Sequence, residues 1–122
     1  MKNSINWFEI PAKNFERAKK FYEAVLNGPI QMMPHPSYKY GILPGDMMEG
    51  VTGGLVEGEG FVPSMTGPLI YLNGGEDLSV ALSKVEQNGG KIILPKTSIG
   101  GNGFMAHFTD TEGNKMALHS MK

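Results

Sequence analysis

Apolar residues change their spacing several times along the chain, and each change marks an element. Ile5 to Ile10 is a short apolar and aromatic stretch interrupted by Glu9. It reads as a strand that Pro11 ends. Asn14 then suits a helix N-cap, with Glu16 in the first turn at the positive end of the dipole. Phe15, Ala18, Phe21, Tyr22, Val25 and Leu26 form one helical stripe, with Arg17, Lys19, Lys20 and Glu23 mostly off it. Asn27-Gly28-Pro29 stops this helix, Gly28 standing where a left-handed backbone is tolerated. Ile30 to Met33 and Tyr38 to Leu43 read as a hairpin across His35-Pro36-Ser37, and Pro44-Gly45-Asp46 as a turn. Val51 to Glu57 is a strand broken by Gly53 and Gly54, which points to a bulge or a close backbone approach. Gly58 to Gly67 is a connection.

The same order then recurs. Pro68 to Leu72 reads as a strand, Asp77 as an N-cap, and Leu78, Ala81, Leu82 and Val85 as a helical stripe ended by Asn88-Gly89-Gly90. Lys91 to Leu94 is a strand stopped by Pro95, Phe104 to Phe108 another, and Lys115 to Ser120 the last, after a turn at Asp110 to Asn114. Phe15, Ala18 and Tyr22 correspond to Leu78, Ala81 and Val85 at a constant shift of 63. The expectation is one α+β domain built from two βαβββ modules, 1–60 and 67–122. A module of about 60 residues would leave a sheet face exposed, so the two must combine.

Composition narrows the chemistry. The 122 residues include no Cys, which excludes disulfides, a Cys-ligated zinc or iron–sulfur site and a thiol nucleophile. Net charge is −1, unlike that of a dedicated nucleic-acid binder. No run approaches the roughly 18 apolar residues of a membrane span, and the N-terminus lacks a signal-peptide core. A cytoplasmic protein with no nucleic-acid or membrane partner is expected. Nine Met residues is a high count, and Met32-Met33, Met47-Met48, Met65 and Met105 fall in segments able to surround a cavity.

Three stretches carry a resemblance. Trp7-Phe8-Glu9-Ile10-Pro11 precedes Glu16-Arg17-Ala18-Lys19-Lys20-Phe21-Tyr22; Asn88-Gly89-Gly90-Lys91-Ile92 follows the second helix; Phe108-Thr109-Asp110-Thr111-Glu112-Gly113-Asn114-Lys115 precedes the last strand. In order and spacing these resemble the vicinal oxygen chelate superfamily of glyoxalases, bleomycin-resistance proteins, fosfomycin-resistance enzymes and extradiol dioxygenases. The resemblance implies two βαβββ modules forming a curled mixed sheet around a cavity, metal ligands on the cavity faces, and a homodimer, since many members pair modules across chains. Carried over, the first-strand His position falls at Trp7, the fifth-strand His at Leu69 or Ile70, and the last-strand Glu at Ala117. The remaining carboxylate position lies near Gly54 to Glu57, where only Glu57 could ligate. Trp, Leu, Ile and Ala offer no lone pair to a metal, so no cofactor is expected.

Other chemistry remains available. Strand residues two apart share a face, so Glu9 lies on the face of Trp7, and His119 on that of Ala117. Glu9 and His119 are the candidate catalytic pair, either as acid–base groups or, with His107 or Glu57, as a displaced divalent-metal site. Trp7, Tyr40 and Tyr71 are candidate flat walls, and Glu57 and His107 further candidate contacts to a ligand. His35, beside two prolines, suits a turn. No Gly-x-Ser-x-Gly elbow, helical zinc motif or phosphate-cradling loop is present. The primary expectation is a metal-free binding protein for a small apolar or aromatic molecule. The alternatives are a metal-dependent lyase, isomerase or dioxygenase, and a purely structural role.

Overall fold

A computed structural model describes residues 1–122. Eight strands and two helices occur in the order β1 (Glu9–Pro11), α1 (Phe15–Leu26), β2 (Gln31–Met33), β3 (Lys39–Ile42), β4 (Gly54–Glu57), β5 (Tyr71–Asn73), α2 (Ser79–Gln87), β6 (Lys91–Ser98), β7 (Phe104–Thr109) and β8 (Lys115–Ser120). They form two four-stranded mixed sheets. Sheet A has the order β1-β4-β3-β2 and sheet B the order β5-β8-β7-β6, so the two modules repeat one topology. In each, the first strand runs parallel to the last and the other pairs are antiparallel.

The repetition reaches single hydrogen bonds. Gly54 N donates to Phe8 O at 2.8 Å, and Ala117 N to Ile70 O at 2.9 Å. At the other end of the strand pair Ala12 N donates to Val56 O at 2.8 Å, and Gly74 N to His119 O at 2.7 Å. Glu9 opposite Gly54 in sheet A therefore matches Tyr71 opposite Ala117 in sheet B.

One core serves both modules. Phe15, Phe21, Tyr22 and Val25 of α1 join Leu82 and Val85 of α2 and its N-cap residue Leu78, with Ile10 and Leu55 from sheet A and Leu72, Phe108 and Leu118 from sheet B. Burying an aliphatic or aromatic side chain of this kind contributes about 1.5–3 kcal/mol. Alternation then turns the intervening strand residues outward. Each sheet keeps an open face away from the helices. The sheets are curled but do not close on one another.

Several boundaries differ from the sequence expectation. The first strand is confined to Glu9–Pro11 and includes the proline, which an edge strand admits because its missing N–H would face outward. The fifth strand shortens to Tyr71–Asn73. Pro95 does not stop β6, which is also an edge strand and runs to Ser98 with register shifts on either side of Leu94. At the end of α1 the left-handed residue is Asn27 (φ 53°, ψ 50°), not Gly28. Asn14 caps α1 as its side chain accepts from Arg17 N. Asp77 stands one residue before the cap position of α2 and accepts from Ser79 N at 2.9 Å. This contact, then the Lys96 ammonium, holds the Asp77 carboxyl down at about 2.

The modules are clasped by the β7–β8 turn. Glu112 Oε1 accepts from Lys13 N (2.9 Å) and Asn14 N (2.7 Å), and Arg17 reaches both of its carboxylate oxygens (2.8 and 3.1 Å). Beside it, buried Asp110 accepts from Tyr22 Oη, Glu112 N, Asn114 N and Asn114 Nδ2, while Asn114 Nδ2 also donates to Pro11 O at 2.8 Å. No buried side-chain polar atom lacks a partner.

Candidate functional site

The open face of sheet A carries a hydrogen-bonded aromatic chain. Trp7 Nε1 donates to Tyr40 Oη at 2.8 Å, and Tyr40 Oη donates to Glu9 Oε2 at 2.7 Å. Tyr40 can lie there because Gly54 is beneath it; a Cβ on Gly54 would collide with the phenol. The indole N–H is satisfied within this chain, so Trp7, 37% exposed, offers its ring surface. Partial burial, then the bond to Glu9, raises the Tyr40 hydroxyl above its ordinary value, so the phenol stays a donor and holds the carboxylate in one orientation.

The open face of sheet B carries the imidazoles. Met105 lies opposite His119, and His107 opposite Ala117, across β7 and β8. Tyr71, 48% exposed, places its hydroxyl 3.3 Å from His107 Nε2 and 3.7 Å from Met105 Sδ. Burial, then Lys115, lowers the His107 pKa and favours the neutral ring. His119 Nε2 lies 2.7 Å from Asn102 O. A carbonyl only accepts, so Nε2 carries the proton and Nδ1 of the neutral ring is left as an acceptor. An open cleft of about 710 Å³ is bordered here by Tyr71, Asn73, Ile99, Met105, His119 and Met121.

Within one chain, then, the structure groups Trp7, Tyr40 and Glu9 on one sheet and Tyr71, His107 and His119 on the other. The sheet B cleft is lined by His119 but not by Glu9. A larger one of about 1120 Å³ runs between the modules, but contains neither Glu9 nor any histidine. Glu57 does not belong to an open face: its Oε1 accepts from Phe15 N at 2.6 Å and serves the start of α1. His35 stacks on Tyr38 at 4.5 Å and accepts from Ser37 N, the turn role its prolines suggest. Met105 borders the cleft, whereas Met32, Met33, Met47, Met48 and Met65 are exposed on other segments. Asn73 was missed by sequence reasoning; the Asn-Gly-Gly run at 73–75 was the available signal, a side-chain turn closing the strand.

The fold has counterparts among known proteins. Residues 4–118 match the family model described as Glyoxalase/Bleomycin resistance protein/Dioxygenase superfamily. The chain belongs to this superfamily. A glyoxylase-like domain-containing protein of Didymella fabae is 32% identical over 122 residues, covering 93% of this chain and 91% of that protein. A glyoxalase/bleomycin resistance protein from Albidiferax ferrireducens T118 superposes with TM-score 0.77 at 16% identity, covering 98% of this chain and 100% of the other. The genomically encoded fosfomycin resistance protein FosX from Listeria monocytogenes superposes with TM-score 0.66 at 14% identity, over 100% and 96% of the two chains. These solved structures share the fold.

The ligand positions that the resemblance assigns to a superfamily metal do not fit one here. Trp7 donates its only polar atom to Tyr40, Ala117 and Leu69 or Ile70 have no donor atom, and Gly54 is covered by Tyr40. No three His, Asp or Glu side chains of the chain converge as a metal cluster. No helix is long and apolar enough to cross a membrane.

Proposed function

We propose that this superfamily member binds a small, planar, apolar or aromatic molecule between the open face of sheet A in one copy and the open face of sheet B in a second. The observation that carries this is the exposure of both faces. Each presents aromatic and polar side chains, Trp7–Tyr40–Glu9 on one and Tyr71–His107–His119 on the other, and neither is covered within the chain. Trp7 and Tyr71 supply flat apolar surface, and Glu9 and His119 orient the polar part of the ligand.

Sedimentation of the purified protein, with native mass spectrometry for a co-purified small molecule, tests this directly. A homodimer carrying or accepting an aromatic ligand, with affinity lost in Trp7→Ala, is the expected result. A monomer at all concentrations, or ligand affinity unchanged in Trp7→Ala, overturns it. A metal-dependent lyase, isomerase or dioxygenase would require Glu9 and His119 to meet across two copies. Stoichiometric metal that disappears in both Glu9→Gln and His119→Ala would favour that reading instead.

A further inference from the structure

The cleft on sheet B has a polar pattern more specific than an aromatic wall. Asn73 Oδ1 accepts from Gly75 N at 2.8 Å. A backbone N–H can only donate, so this bond fixes which end of the amide is oxygen and leaves Nδ2, with two hydrogens, without an acceptor in the chain. His119 is fixed in the opposite sense: Nε2–H is engaged by Asn102 O and Nδ1 is a free acceptor. The two residues are register partners on β5 and β8. Neighbouring strands lie about 4.8 Å apart, so the two residues stand side by side on one face, one carrying a free donor and the other a free acceptor. Ile99, Met105, Met121 and the Tyr71 ring border the same cleft.

We propose that this cleft reads the edge of a lactam or other cis-amide ring, Asn73 Nδ2 donating to the ring carbonyl and His119 Nδ1 accepting from the ring N–H. This deepens the ligand-binding proposal above and rests on it. A cis-amide ring shows an acceptor and a donor in one plane on one edge, the complement of the pair in the cleft. A carboxylate shows two acceptors and would set one against the lone pair of Nδ1. A ketone or ether satisfies Asn73 but leaves Nδ1 desolvated and unpaired, which is costly at a buried contact. The remaining walls are mostly apolar, with Ile99, Met105 and Met121 around the flat Tyr71 ring, which suits a ring rather than an open-chain amide.

The test uses the full chain and three probes: 2-quinolone, N-methyl-2-quinolone and naphthalene. Binding is followed by backbone amide shifts and by emission of Trp7, the single tryptophan. The expected result is that 2-quinolone shifts the amides of Gly74, Gly75, Ile99 and Met105 and binds about tenfold tighter than its N-methyl form, the worth of one well-made hydrogen bond. His119→Phe should bring the two quinolones to equal affinity. Because the comparison is first made in the unaltered protein, a variant that fails to fold does not remove it. Equal affinities in the unaltered protein overturn the proposal, as do shifts confined to the Trp7 face. If naphthalene quenches Trp7 while the quinolones are not distinguished, the open-face binding stands and the lactam reading falls. If none of the three binds, both fall.

Discussion

The two modules share a backbone and divide the work unequally. In module 1 the connection from β3 to β4 is an exposed loop, organised by Asp46 accepting from Met48 N and Glu49 N. Its counterpart in module 2 is the buried β7–β8 turn, where Asp110, Glu112 and Asn114 reach across to α1 and β1. The open faces differ in the same manner. On sheet A, Gly54 lets Tyr40 lie flat and tie Trp7 to Glu9; on sheet B, Ala117 at the matching position sits beside Tyr71 and His107. A repeated topology thus fixes where side chains point. The residues placed there decide whether a module secures the fold or offers a ligand a surface.

The turns should separate most sharply. Asp110→Ala strands Tyr22 Oη and several N–H groups in the core and is expected to cost about 3 kcal/mol or more in urea unfolding. Asp46→Ala, on the exposed loop, should fall within about 0.5 kcal/mol of the parent. Similar losses from both would mean that the modules are clasped elsewhere. Acid unfolding probes the same turn. Burial alone pushes the Glu112 carboxyl up, but Arg17, Asn14 N–H and Thr111 together bring it below its ordinary value. Its stabilising contribution is therefore present above the ordinary carboxylate range and lost as pH falls through the folded-state value. Glu112→Gln should flatten that acid limb.

Next in size is Gly54→Ala. The added methyl displaces the Tyr40 phenol, so Trp7 emission should shift and aromatic-ligand affinity drop about tenfold or more, while Ala117→Gly on the other sheet leaves Trp7 emission unchanged. Tyr40→Phe removes both bonds of the chain but keeps the ring, and should cost about 1 kcal/mol of stability and loosen Glu9. The smallest effect concerns charge. Because the folded pKa of His107 lies below its ordinary value, stability is full above the imidazole range and declines as pH falls through it. Lys115→Gln should raise the His107 titration midpoint measured by NMR, since Lys115 is the second cause of the shift after burial.

Much of this architecture was legible in the amino-acid pattern. The stripe from Phe15 to Val25 buries as spacing suggests, and the matching run from Leu78 to Val85 gives the second helix. What local pattern could not show depends on strand position in the sheet. Pro95 looked like a stop because an edge strand cannot be told from a central one in sequence. The site divides similarly. Trp7 and Glu9 share a face as alternation requires, while Tyr40 reaches them from β3 across Gly54 of the intervening β4, which no local pattern shows. Glu57 did not follow, because alternation turns it toward the first turn of α1, where it serves Phe15 N. Glu9 and His119 each face outward as alternation requires, but parity within a strand says nothing about which sheet opposes which.

The grip of Glu112 on Lys13 N and Asn14 N spans 99 and 98 residues of sequence. During synthesis, at about 5–20 residues per second, the turn that grips the chain entering the first helix therefore follows it by roughly 5–20 s. Until then its apolar stripe lacks Phe108 and Leu118, the core residues that the last two strands supply. A nascent chain paused within β6 would be a substrate for chaperones, and release of the final hairpin would be the event that completes both modules together.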